Sequence, residues 1–210
     1  MSTIDSLKWR YAVKKFDVTR MLSNEQVDTV KRAFNLTATS YGLQPISLVI
    51  VANKELQSQL VPHSFDQQQV AQASHVLVIC VENKVDDNYI SNYFKQVKRI
   101  RGVSSAVLDP FKDALIDDFS KKEVQEIKDW SKNQAYLAMG NLLTVFAAEK
   151  IDACPMEGFV PEAYDDVLGL EKKGLTSVLV MPIGYRAKDD VFATFKKVRK
   201  DMKESIIEIF

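Results

Sequence analysis

Arg10 and Lys14 near the start of the sequence, and Lys196, Lys197 and Arg199 near its end, are the residues best suited to hold a phosphate dianion. Such an anion takes two or three converging cations, and the planar fork of arginine matches it well. In a chain with 28 basic residues, clusters of this kind are also ordinary solvated surface, so their convergence is what the fold has to decide. A second candidate is the string Pro155-Met156-Glu157-Gly158-Phe159. Its Glu-Gly pair can present two successive backbone N–H groups to a ligand acceptor, because glycine lets the backbone come close; the same string is otherwise a plain turn after a strand.

Other chemistries find little support. His63 and His75 belong to no HExxH or Cys/His spacing, so no metal site is expected. Cys80 and Cys154 each sit inside an apolar run without a CxxC, which reads as buried, inert thiols rather than a redox pair. There is no GxGxxG, no GxxxxGK[ST] and no GxSxG, so a Rossmann turn, a P-loop and a hydrolase elbow are all unsupported. With 28 basic against 28 acidic residues the net charge is zero, and no global field draws in nucleic acid or an anionic bilayer. Apolar runs such as Val76 to Val81 fall far short of the ~20 residues that span a membrane. Met1 to Lys15 holds no apolar signal core, so a cytoplasmic location is expected.

The elements that must position these residues follow from periodicity. A short first helix around Leu7 and Trp9 runs into the basic turn Arg10 to Lys15. Ser23 with Gln26 forms a capping box for a second helix whose inner face is Val27, Val30, Phe34 and Leu36. Thr37 to Pro45 is a loop, and Ile46 to Val51 a buried strand. Lys54 to Leu60 and Gln67 to Gln72 read as helical, and Ser74 to Glu82 as a second buried strand. Asp86 to Gly102 carries helical spacing at Tyr89, Tyr93, Val97 and Ile100, and Pro110 marks the start of a short helix to about Ile116. Ser120 with Glu123 reads as a box opening a helix of roughly 29 residues, a rod of about 44 Å. Its half from Ala135 to Ala148 is so apolar that it must be covered on most sides, by the core or by a second subunit. Ile151 to Met156 is a short strand, Pro161 to Leu168 a helix closed by Gly169, and Leu175 to Ile183 a long strand. The tail ends in Ile206, Ile207, Ile209 and Phe210, which need a surface to pack on. The whole reads as one α+β domain over residues 1–210, a sheet sandwiched by helices, without linker or repeat.

Seven strings, in order and with consistent gaps over almost the whole chain, resemble the FMN-dependent nitroreductases, especially their oxygen-insensitive NAD(P)H branch and its dihydropteridine reductase-like members. They are RYAVKKFD (Arg10 to Asp17), TSYGLQP (Thr39 to Pro45), ASHV (Ala73 to Val76), NQAYLAMGNLL (Asn133 to Leu143), IDACPMEGF (Ile151 to Phe159), LGLEKKGLTS (Leu168 to Ser177) and the stretch Gly184 to Thr194. The resemblance implies a three-layer αβα sandwich with a mostly antiparallel sheet. It also implies a homodimer with FMN at the subunit interface and a C-terminal arm that crosses to the partner. By the same resemblance Arg10, Lys197 and Arg199 grip the FMN phosphate beside Tyr11 and Ala12, and Lys14 lies at the pyrimidine edge of the flavin. Thr39, Ser40 and Gln44 approach from the neighbouring subunit, and Pro155, Met156, Glu157 and Gly158 pass over the ring, with the Glu157 and Gly158 N–H groups bonding N5 and O4.

Departures from the family pattern matter as well. Tyr11-Ala12 stands where many relatives carry His-Ser, which removes a hydroxyl contact to the phosphate. Asp66 stands where an asparagine often meets the flavin N3–H, and Gln69 where some relatives place a second lysine near N1 and O2. A carboxylate can accept from N3–H, yet it adds negative charge. Reduced FMN is anionic at N1, so this exchange lowers the expected reduction potential and leaves Lys14 as the main compensating charge.

The reaction implied is a two-step exchange in which NADH or NADPH passes hydride to N5 and leaves, and a nitroaromatic, quinone or related acceptor takes its place. It rests on stacking and electrostatics, so no side-chain acid or base is required. Lys14 and Arg101 are candidates for contact with the nicotinamide nucleotide. Phe94, Phe111 and Phe119 could wall the acceptor pocket, or simply pack on helix faces. A dihydropteridine or flavin reductase on the same fold and a non-catalytic FMN-binding dimer are the competing readings.

Overall fold

In the computed structural model, which describes residues 2–210, four strands numbered along the chain form one sheet in the order β1 (Ile46–Val51), β2 (His75–Glu82), β4 (Leu175–Gly184), β3 (Asp152–Ala153). All three neighbouring pairs are antiparallel. Alternation along β2 creates the layers, because successive side chains of a strand point to opposite faces. Val76, Val78 and Cys80 pack with Leu60 of α3 (Lys54–Leu60), Val70 of α4 (Gln69–Gln72) and Tyr164 of α8 (Pro161–Leu168). Leu77, Ile79 and Val81 pack instead with Val30 of α2 (Asn24–Asn35) and with Ala138, Leu142 and Phe146 of α7 (Val124–Glu149). The three-layer sandwich expected from the sequence is therefore present, with each fully buried aliphatic side chain of β2 contributing about 1.5–3 kcal/mol. A satellite core holds the hairpin of α5 (Asp87–Arg101) and α6 (Ser105–Ser120) against the first half of α7 and Leu43.

Several local expectations need correction. Pro110 lies inside α6 rather than near the start of a short helix. The Ser104 cap sits well upstream, and packing of α6 on α5 outweighs the backbone bond that proline removes. Helix α7 has 26 residues and opens with a capping box between Glu123 and Glu126, while Ser120 belongs to the end of α6. Two overlapping cap signals compete there, and the downstream one wins. Leu36 is 81% exposed, because α2 ends at Asn35 and turns that side chain off its inner face; Ile100 is likewise exposed at the end of α5. Of Ile151 to Met156 only Asp152–Ala153 joins the ladder, with Met156 adding a lone bridge to Val180.

The chain ends meet at the β3 side of the sheet. After α1 (Thr3–Trp9) the backbone leaves the helix at Arg10, and residues 12–17 thread along the sheet edge: Ala12 bridges Ala153, and Phe16 bridges Arg186. Beyond β4 the chain runs back past this segment through a short turn at Val191–Thr194. From Phe195 onward the arm is exposed, with Ile206, Ile207, Ile209 and Phe210 uncovered in the single chain.

Candidate functional site

The cations at opposite ends of the sequence converge. Arg10, Tyr11, Ala12 and Lys14 on one side, and Phe192, Phe195, Lys196, Lys197, Val198 and Arg199 on the other, line one cavity of about 310 Å³. The Lys197 ammonium donates to the Arg10 carbonyl oxygen, which ties the arm to the turn. No carboxylate pairs with Arg10, Lys197 or Arg199 among the described residues. Burial, and then the neighbouring Arg199, hold the Arg10 guanidinium below its ordinary pKa. Burial likewise lowers Lys197, helped by Arg10, Arg199 and Arg186. Like charges held together without a counter-ion raise the free energy of the empty pocket, and an incoming anion relieves that repulsion.

Lys14 links this cavity to a second group of polar atoms. Its Nζ lies 3.7 Å from the Cys154 Sγ, and the Gln69 Nε2 lies 3.9 Å from the same sulfur. Gln69 is buried and donates to the Gln67 Oε1 at 2.8 Å, while the Gln67 Nε2 donates to the Gly158 carbonyl at 3.0 Å. The 155–158 segment is thus held from beneath by two glutamines, of which sequence reasoning singled out only Gln69. The N–H groups of Glu157 and Gly158 have no protein acceptor among the described residues, whereas Met156 N–H bonds Val180 and Phe159 N–H bonds the Glu157 carbonyl. The Glu157 carboxylate accepts from the Tyr136 hydroxyl at 2.8 Å, a contact from α7 that no local spacing announces.

Asp66 is exposed and, with Phe65, adopts a left-handed conformation at φ values of 58° and 52°. Thr39, Ser40 and Gln44 do not line the cavity in the single chain. Their loop contains left-handed Tyr41 and Gln44 and is held rigidly: Ser40 N–H donates to the Gln134 side chain at 2.9 Å, Gln44 N–H to the Thr39 hydroxyl at 3.0 Å, and the Tyr89 hydroxyl to the Gln44 carbonyl at 2.9 Å. Non-glycine residues in this region store strain that neighbouring contacts must offset. Arg101 ends α5 and does not line the cavity. Phe94 and Phe119 are core residues of the α5–α6 satellite, while Phe111, in edge contact with Phe94 at 5.7 Å, is half exposed.

Burial pushes the Cys80 thiol up to about 12 and raises Cys154 as well, although Lys14 opposes the latter. Ser74 Oγ lies 2.9 Å from the His75 Nδ1 but accepts from the Leu22 N–H, and no carboxylate bonds His75 among the described residues. No group of three His, Cys, Asp or Glu side chains suited to a metal occurs among the described residues. No helix among them is long and apolar enough to cross a membrane. A second cavity of about 240 Å³ lies between the end of β2 and α7, and two of its charged lining residues, Lys84 and Asp86, pair at 2.8 Å.

Residues 7–185 match the nitroreductase family. The chain belongs to that family. Over 208 residues it is 27% identical to an oxygen-insensitive NAD(P)H nitroreductase of Salmonella typhimurium, covering 95% of this chain and 96% of that protein. Over 196 residues it is 30% identical to a Staphylococcus aureus protein named for NAD(P)H nitroreductase activity, covering 89% and 87% of the two chains. The fold superposes with a TM-score of 0.85 on an Exiguobacterium sibiricum structure assigned to the nitroreductases and solved in complex with FMN. That alignment covers 100% and 98% of the two chains at 21% identity.

Proposed function

We propose that the chain is an FMN-dependent oxidoreductase that carries electron pairs from NADH or NADPH to a nitroaromatic, quinone or similar electron-poor acceptor. The observation that carries this reading is the cavity in which Arg10, Lys197 and Arg199 meet without a counter-ion, next to Lys14. The residues fit the group. Three cations match a terminal phosphate, and two adjacent N–H groups without protein acceptors, Glu157 and Gly158, match the acceptor edge of a flavin ring. FMN, when bound, supplies the hydride chemistry at its N5 atom.

The chain's own residues do the rest. Arg10, Lys197 and Arg199 hold the phosphate, and Lys14 places a positive charge where negative charge develops on reduction. Gln67 and Gln69 fix the 155–158 segment, so that its N–H groups meet the ring without reorganising. The two-step exchange needs one open face, visited first by the nicotinamide and then by the acceptor. Asp66, with its carboxylate outside the body, and Gln69, an amide, keep positive charge near the ring low. A homodimer completes the arrangement: the rigid Thr39–Gln44 loop would serve the partner's cavity, and the uncovered apolar tail would pack on the partner.

An absorbance spectrum of the purified protein, followed by anaerobic titration with NADH and with NADPH, tests the reading. A yellow protein bleached stoichiometrically by either nucleotide supports it. A yellow protein that neither nucleotide bleaches favours a non-catalytic flavin carrier, and a colourless protein that ignores added FMN ends the proposal.

A further inference from the structure

Asp190 takes no part in the function proposed above, yet it is 4% exposed and bonds three residues that line the cationic cavity. Its Oδ2 accepts from the Tyr11 hydroxyl at 2.9 Å, the Lys14 N–H at 3.0 Å and the Lys15 N–H at 3.3 Å, and its Oδ1 accepts from the Phe192 N–H at 3.1 Å. Tyr11 and Lys14 belong to the wall that carries Arg10; Phe192 belongs to the wall that carries Lys197 and Arg199. One carboxylate therefore joins two wall segments that lie at opposite ends of the sequence. It does so through neutral donors alone, with no ion pair among the described residues. Four neutral donors fall on this one carboxylate, three of them on Oδ2, so it is held by hydrogen bonds and forms no ion pair with the cavity's cations among the described residues.

We infer that Asp190 is the positioning residue that sets the spacing of the two cationic walls and so makes the cavity select flavins that end in a phosphate. This rests on the flavin reading above. The inference separates cleanly from a through-space effect. As a bare negative charge, Asp190 weakens anion binding, and its removal should tighten it; as a clamp, its removal should loosen it. Asparagine is nearly isosteric but cannot accept on both sides, because its NH2 must face either the Phe192 N–H or the donors at Tyr11, Lys14 and Lys15.

The experiment titrates flavin-stripped protein with FMN and with riboflavin, following flavin fluorescence, for the wild type, Asp190→Asn and Tyr11→Phe. The expected result is an FMN Kd raised about tenfold in Asp190→Asn, riboflavin affinity within about twofold, and a smaller shift in the same direction for Tyr11→Phe. Unchanged or tighter FMN binding overturns the inference, as does equal weakening for both flavins, which indicates general loss of structure. If Asp190→Asn does not fold, Tyr11→Phe decides the matter, since it removes one contact and no charge: an unaltered FMN-to-riboflavin ratio overturns the proposal. A wild type that ignores both flavins overturns the functional reading and this inference together. FMN binding that depends on Arg10 and Lys197 but not on Asp190 overturns this inference alone.

Discussion

Two sets of cations lie at the same end of the molecule and are treated in opposite ways. Arg186 is neutralised: it grips the buried Asp152 carboxylate through Nε and Nη2, its N–H donates to the same group at 2.8 Å, and its guanidinium stacks 4.3 Å from the Trp9 ring centroid and 4.5 Å from that of Tyr11. Arg10, Lys197 and Arg199 have no carboxylate partner among the described residues. Evolution of a merely stable protein would pair both sets, because unpaired clustered cations oppose folding. On the proposed function, the pair is scaffold and the unpaired group is site. The contrast also explains why a count of basic residues could not distinguish them.

The largest test of this contrast is Asp152→Ala, which strands Arg186 between its two rings. A destabilisation of about 3 kcal/mol is expected, read as a fall in Tm of about 6–12 °C in thermal unfolding. A small change in Tm with a large loss of flavin affinity would instead move Arg186 into the site. Next comes Arg10→Ala. Losing one charge-assisted bond to phosphate should weaken FMN binding by about 1.5–3 kcal/mol, while the Tm of the flavin-free protein holds or rises as repulsion eases. A marked drop in that Tm would show that Arg10 is scaffold after all.

Lys14→Ala sharpens the picture within the site. It should impair reduction by NAD(P)H more than FMN binding, with the flavin potential falling by about 30 mV, or about 1.4 kcal/mol for the two-electron couple. Equal loss of binding and reduction speaks against that division of labour. The smallest effect concerns His75, whose pKa is lowered by burial and then by Lys54. A group that binds its proton more readily unfolded than folded adds stability above its unfolded pKa of about 6.5 and loses it as pH falls below that value, at no more than about 1.4 kcal/mol per pH unit. His75→Asn should flatten that slope in denaturant titrations between pH 6.5 and 5; an unchanged slope assigns the acid sensitivity elsewhere.

Much of the architecture could be read beforehand. Strands β1, β2 and β4 and helices α2, α3 and α8 follow from apolar runs and cap residues, because those signals act between near neighbours in sequence. Pro110 misled because a tertiary contact between α5 and α6 overrides a local rule, and Ser120 because Glu123 can cap a helix with its own side chain. Within the proposed site, residue types singled out Arg10, Lys14, Lys196, Lys197, Arg199 and the Glu157-Gly158 pair, and the resemblance narrowed the phosphate cations to Arg10, Lys197 and Arg199 and set Lys14 apart. Asp190, Gln67 and Tyr136 escaped notice. Each acts through a partner distant in sequence or through a backbone group, so spacing carries no trace of its role.

The position of Lys197 and Arg199 beyond the last strand has a consequence for how the protein acquires its activity. During synthesis the sheet and both helical layers are complete before these two residues have been made, so on the proposed function the nascent body would fold before two of its three phosphate-holding cations exist. Cleavage of an unpaired protomer at the exposed Phe195 would, on the same reading, return it to that condition, whereas packing of the tail on a partner would protect it.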